Sequence, residues 1–277
     1  MKTKYSKPIH NIESYMLRKK YASSTIKQYI HQIENVIDFS DSDVYHITAN
    51  DFNNYIDEQL SINNISSSFI NQVISAGILF LKHGLGKTDQ SIRPLNRPRS
   101  DRKLPTILSI GQVYDMINAS NNLKHQCIIE IAFTHGLRRH EIINLTIFDI
   151  DSANMQITIK NSKGAKDRNI PLNKDCLIRL RKYWKKHKPT QYLFEGQFGG
   201  KYSATSITNI IKDNAELIGI RKKVSPHSLR HSFGSHLVKL GVNLRVIQEW
   251  LGHASSKTTE IYTHVTSDFE NPIKNIA

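Results

Sequence analysis

Cysteine is nearly missing from this chain: Cys127 and Cys176 are the only two in 277 residues. Both fall in apolar helical surroundings, so they read as buried, reduced thiols of a reducing compartment rather than as a disulfide framework. No cysteine pair offers tetrahedral metal ligands and no HExxH occurs. His227, His231 and His236 share a helix, but the last falls off the common face, so no metal is expected. The phosphate cradles GxxxxGK[ST] and GxGxxG are absent too, so no nucleotide cofactor is expected. Clustered carboxylates, which a metal-dependent nuclease would need, are missing. There is no N-terminal apolar segment with a cleavage site, and no run long enough to cross a bilayer. The expectation is a soluble, cytoplasmic protein without a membrane partner. Acidic residues are the scarcer charge, 24 against 38 Lys and Arg, giving a net charge of +14 and a pI near 9.7. Such a surplus calls for a polyanionic partner.

The surplus is uneven. Residues 1–102 hold 13 basic and 10 acidic residues, and residues 103–277 hold 25 and 14. The length favours two domains. After a basic start, four helices are predicted. The first covers about 10–20. The second opens at Ser23 or Ser24 and carries Ile26, Tyr29, Ile30, Ile33, Val36 and Ile37 at helical spacing. Asn50 is the expected cap of the third, DFNNYIDEQL. The fourth runs from the Ser66–Ser68 cluster to Gly84. Together they make a small bundle.

Prolines and glycines then accumulate over 84–106, with Arg93, Arg97, Arg99 and Arg102 interleaved. That density marks a linker, and the arginines suit phosphate contact. The boundaries read as a helical domain over 1–86, a linker over 87–105 and a second domain over 106–277. Ser109 and Gln112 fit a capping box, and helices follow near 110–119, 122–134 and 138–146. MQITIK and RNIPL, joined by NSKGAKD, read as a β-hairpin. Further helices are predicted near 173–187, 203–218, 226–240, 243–251 and 256–265, with a short extended piece around Tyr192–Phe194. The fold class is mainly α with a small antiparallel β-sheet.

Several segments carry groups suited to one chemistry. Breaking a phosphodiester requires cations on its non-bridging oxygens, a nucleophile and a proton donor for the leaving oxygen. Arg138 in THGLRRHEI and Arg230 in PHSLRHSF suit the first task, because the guanidinium fork grips phosphate bidentately and keeps its charge. Arg138 also stands at a predicted helix start, where backbone N–H groups favour an anion. His227, three before Arg230, shares its face. Lys160, Lys163 and Lys166 all lie near the hairpin turn and could each donate a proton. His253 and Tyr262 are nine residues apart, about two and a half turns on an unbroken helix. Gly252 and Ser255–Ser256 read instead as a stop and a new cap, so two helices could aim both groups into one pocket.

In this order, arginine, hairpin lysine, H-x-x-R, histidine and tyrosine, these segments resemble the tyrosine recombinase (integrase) family. The resemblance is strong over 104–266 and holds only in outline before that. It implies an N-terminal four-helix core-binding domain and a mixed α/β catalytic domain that grip double-stranded DNA from opposite sides. It implies a site-specific recombinase cutting DNA through a 3′-phosphotyrosyl intermediate at Tyr262. Arg138, Lys163, His227, Arg230 and His253 would be the other catalytic residues, with Glu141 orienting charged side chains around them. It selects Lys163 among the three lysines, although Ser162 stands where the family has glycine. Lys166 and Arg168 join the linker arginines Arg93, Arg97, Arg99 and Arg102 as expected backbone-phosphate contacts. Neither metal nor ATP is implied, since the phosphotyrosyl bond stores the energy of the broken ester. The family pattern is four copies on two DNA sites, linked through the tail 267–277, with a second recombinase or accessory protein as a further partner. Two rival readings are a type IB topoisomerase-like enzyme, against which the N-terminal bundle and the tail argue, and a non-catalytic DNA-binding protein.

Overall fold

The computed structural model describes residues 7–98, 105–160 and 167–252. The chain divides into two compact units, Met1–Lys103 and Leu104–Ala277.

The first unit is helical: α1 (Lys7–Arg18), α2 (Ser23–Ser40), α3 (Ala49–Ile62), α4 (Ser67–Leu79) and a short α5 (Asp89–Ile92). Ile26, Ile33 and Val36 of α2 are buried, with Tyr29, Ile30 and Ile37 packed at their edge, as one apolar stripe at helical spacing requires. The core adds Ile12, Met16, Phe52, Val73, Ile74 and Phe80.

Three details differ from the sequence reading. Thr48, not Asn50, caps α3: the Asp51 carboxylate accepts the Thr48 N–H at 2.8 Å and its hydroxyl at 2.7 Å, so the helix opens two residues earlier. The fourth helix is not unbroken to Gly84. It ends at Leu79 and continues as one π-helical turn, Phe80–Gly84, in which the Leu85 N–H reaches back to the Phe80 carbonyl at 3.0 Å. That turn directs both Phe80 and Leu81 into the core. The expected linker over 87–105 also begins inside this unit. Ile92 and Leu95, three apart, are buried in its core, and Arg97 donates to Asn71 Oδ1 and Ser75 Oγ, both at 3.1 Å. Asn71 and Ser75 lie one turn apart on α4, so Arg97 is fastened to the bundle rather than carried on a free tether. Arg93 is exposed.

The second unit contains α6 (Ile110–Ala119), α7 (Leu123–Thr134), α8 (Arg139–Asn144), a three-stranded antiparallel sheet, then α9 (Lys174–His187), α10 (Ala204–Leu217), α11 (Pro226–Lys239) and α12 (Leu244–Leu251). Ser109 and Gln112 close the capping box on α6, at 3.1 and 2.9 Å. The helix expected over 138–146 is shorter, because Leu145 leaves it for a 3₁₀ turn over Ile147–Asp149. The sheet runs β1 (Ile150–Asp151), β2 (Gln156–Ile159), β3 (Arg168–Pro171) in spatial order, with Ile157 opposite Ile170 and Ile159 opposite Arg168. β1 had no counterpart in the sequence reading; two residues are too few to show alternation. Asn173, Ser203, Ser225 and Asn243 cap α9 to α12 through their side chains.

One large core joins α7, the sheet, α9 and α10 through Ile128, Ile131, Ile157, Ile170, Leu180, Phe194 and Ile211. A smaller cluster, Phe233, Ile247 and Leu251, docks α12 on α11. α11 is also tied to the start of the unit. Ser232 Oγ accepts the Leu108 N–H at 2.8 Å, and His236 Nε2 meets the Leu108 carbonyl at 2.9 Å. His236 therefore serves packing, as the sequence suggested. Cys127 and Cys176 are free and buried, and burial pushes the Cys127 thiol up to about 12. Among the described residues no helix is long and apolar enough to cross a membrane.

Candidate active site

α8 starts where α7 turns sharply at Gly136, and Arg138 stands at its N-cap position. Glu141, at the third helical residue, accepts the Arg138 backbone N–H at 2.8 Å and its guanidinium at 3.0 Å. The N-cap amide of α8 therefore faces a carboxylate of the chain itself, with only 2% of that side chain exposed. Arg138 keeps 25% of its side chain exposed.

α11 brings Arg230 in from the other side. It is 3% exposed, and it donates to the Gly136 carbonyl at 2.6 Å and to the Leu251 carbonyl. Arg138 donates to the next carbonyl, that of Gly252, at 2.7 Å. A third guanidinium completes the row: Arg168 Nε donates to the Trp250 carbonyl at 2.8 Å. Three consecutive carbonyls at the end of α12 thus each receive an arginine. The C-terminus of a helix has unpaired carbonyls and a partial negative charge, and both favour this arrangement.

Arg168 corrects an expectation. It is not at the surface awaiting a backbone phosphate. Its side chain is 7% exposed and grips both Glu141 oxygens, at 3.0 and 2.9 Å. Burial alone would raise the Glu141 pKa, but the hydrogen bonds and charges of Arg168 and Arg138 hold it below the usual carboxylate range. The inward direction of Arg168, though not its partner, was legible in the sequence. On β3 burial alternates, and Arg168 lies two residues before the buried Ile170, hence on the inward face.

His227 lies one turn before Arg230 at the start of α11, with an exposed ring. Partial desolvation and the charges of Arg230, Arg139 and Arg138 lower its pKa, so the ring is neutral at pH 7. The described residues therefore unite Arg138, Glu141, His227 and Arg230, and add Arg168. Lys163, Lys166, His253, Tyr262, Arg99 and Arg102 lie outside them, as does the tail 267–277.

Behind the cluster His135 is fully buried. Its Nε2 accepts the Asn173 N–H at 3.2 Å and its Nδ1 lies 2.7 Å from Thr134 Oγ1. Burial lowers its pKa to about 4. Between that value and the unfolded value near 6.5, the unfolded chain binds the extra proton, so stability rises with pH. From pH 4 to 7 this one group should add about 3 kcal/mol. Urea titrations across that range check this, and His135→Gln should flatten the slope.

Arginines fixed on backbone carbonyls, with a neutral histidine beside them, make a site of the phosphoryl-transfer class. Comparison with known proteins agrees. The model of the phage integrase family matches residues 107–268, and that of the phage integrase N-terminal SAM-like domain matches residues 9–90. Tyrosine recombinase XerA of Pyrococcus horikoshii is 30% identical over 264 residues, which cover 94% of this chain and 89% of XerA. Tyrosine recombinase XerD of Oceanobacillus iheyensis is 34% identical over 212 residues, covering 72% of this chain and 71% of its own. A crystal structure of XerA recombinase, 29% identical, covers 93% of this chain and 92% of its own with a TM-score of 0.56. A lambda integrase dimer bound to a COC′ core site has the same fold, with a TM-score of 0.74 at 14% identity and coverage of 95% and 96%. The chain belongs to the phage integrase family, the tyrosine recombinases, enzymes that cut and rejoin DNA strands.

Proposed function

We propose that this recombinase acts on double-stranded DNA with Tyr262 as its nucleophile and with Arg138, Arg230, His227, His253 and Lys163 around the scissile phosphate. The observation that carries the reading is the meeting of Arg138 and Arg230 on consecutive carbonyls, one residue before His253. Both guanidinium groups are oriented before substrate arrives, so little reorganisation is needed when charge develops on the non-bridging oxygens. His227 accepts the phenol proton as Tyr262 Oη attacks phosphorus. Lys163 gives a proton to the departing 5′ oxygen, and His253 donates to a non-bridging oxygen. The products are a 3′-phosphotyrosyl ester and a free 5′-hydroxyl. A 5′-hydroxyl from a second duplex attacks that ester and returns the phenol. Glu141 orients Arg138 without touching the phosphate. Arg93, Arg99, Arg102 and Lys166 meet backbone phosphates elsewhere along the duplex. The reading extends to four copies on two DNA sites, linked through residues 267–277 and acting in the cytoplasm.

The test is incubation with a nicked suicide substrate, whose cleaved 5′ fragment diffuses away, in the presence of EDTA. A covalent protein–DNA adduct should accumulate, and the modified peptide should contain Tyr262. An adduct on another peptide, or one that forms only with added divalent metal, would overturn the assignment.

A further inference from the structure

Arg168 has no place in the chemistry just described, yet a carboxylate, a backbone carbonyl and a glycine enclose its guanidinium. With Glu141 it forms the most deeply buried of the described ion pairs, the two side chains 7% and 2% exposed. Its guanidinium meets both carboxylate oxygens at 3.0 and 2.9 Å while its Nε holds the Trp250 carbonyl at 2.8 Å. The flat of the same group lies against Gly252. A Cβ placed on that glycine would stand 3.0 Å from Arg168 Cζ and Nη1. One side chain on β3 thereby fixes the carboxylate that orients Arg138 and the last turn of α12. It also packs on the residue whose carbonyl Arg138 holds.

We propose that Arg168 is a positioning residue for strand cleavage. By locking Glu141 to the end of α12, it sets the distance between Arg138 and the last described turn of that helix, which ends one residue before His253 in the sequence. This rests on the reading of Tyr262 as nucleophile. Arginine is required because three N–H directions in one plane are used at once; an ammonium group at the end of a lysine can satisfy one oxygen but not the whole set. A buried side chain engaged in this way meets no DNA phosphate, so its loss should slow cleavage without weakening binding. Displacements of about 1 Å at a reacting centre cost on the order of 100-fold in rate.

Two variants disturb the same contact from opposite sides. Arg168→Lys removes the fork, and Gly252→Ala pushes a methyl against an intact guanidinium from a backbone at φ +62°. Both are made with Trp184→Phe, so that Trp250, the other of the two tryptophans, is the sole indole emitter. In each, adduct formation on the nicked substrate should fall about 100-fold relative to the Trp184→Phe parent. DNA affinity should stay within about threefold, with an unchanged salt slope. Acrylamide quenching of Trp250 should rise while thermal unfolding stays cooperative, a change that general loss of structure would not give. Adduct rates within about threefold of the parent in both variants would overturn the proposal. So would a salt slope shallower by about one in Arg168→Gln, which unlike Arg168→Lys removes the charge and would thereby mark the residue as a phosphate contact. If one of the two variants is unfolded at the assay temperature, the other carries the test with the same thresholds. A parent adduct mapping away from Tyr262 would instead remove the nucleophile assignment, a failure distinct from unaltered rates in the variants.

Discussion

Replacing Tyr262 with phenylalanine is expected to abolish the covalent adduct, by at least about 10⁴-fold, while DNA affinity stays within about twofold. The substitution deletes one oxygen and no charge. The phosphate would still meet Arg138 and Arg230, whose orientation comes from the carbonyls of Gly136, Leu251 and Gly252. Binding and chemistry should therefore separate cleanly. A denaturing gel of the suicide reaction reads the second, and a native gel at matched salt reads the first. A surviving adduct in the phenylalanine variant would place the nucleophile on another side chain.

The second large effect concerns stability. Gly136 has φ +58°, and a Cβ there would lie 2.5 Å from Phe233 Cδ1 and 2.7 Å from Leu251 Cδ2. Phe233 and Leu251 belong to the small cluster that docks α12 on α11. Gly136→Ala should thus add left-handed backbone strain, about 1–2 kcal/mol, to overpacking of about 1–3 kcal/mol. A total near 3 kcal/mol would lower the melting temperature by roughly 10 °C. Activity should fall as well, because the Gly136 carbonyl holds Arg230. Calorimetry of the variant gives the answer, and an unchanged transition would mean that the turn before α8 is built differently.

The sequence showed these features unevenly, for identifiable reasons. The helices of the first unit were readable because apolar residues such as Ile26, Ile33 and Val36 recur at helical spacing. The cap of α6 was readable because Ser109 and Gln112 have the right types at the right separation. Arg138, Glu141 and Arg230 were singled out by segment order, and the fold does bring them together. Contacts between distant segments left no local mark. Arg97 looks like any basic linker residue until α4 presents Asn71 and Ser75 to it. Arg168 was read as a backbone-phosphate contact, although the alternation on β3 already pointed it inward. Fixing both took a partner 22 or more residues away, namely Ser75 and Asn71 for Arg97, and Glu141 for Arg168.

The row of carbonyls at the end of α12 has a consequence for how such a site varies. Main-chain atoms, not side chains, hold the guanidinium groups at Trp250, Leu251 and Gly252. Every amino acid supplies the same oxygen, so exchanging the indole at 250 for another half-buried residue would leave the anchoring intact. The glycine is different, because what it contributes is the missing methyl. Homologues could therefore drift at the first of these places and still bind their arginines, while the last stays under tight constraint with no functional group of its own to show for it.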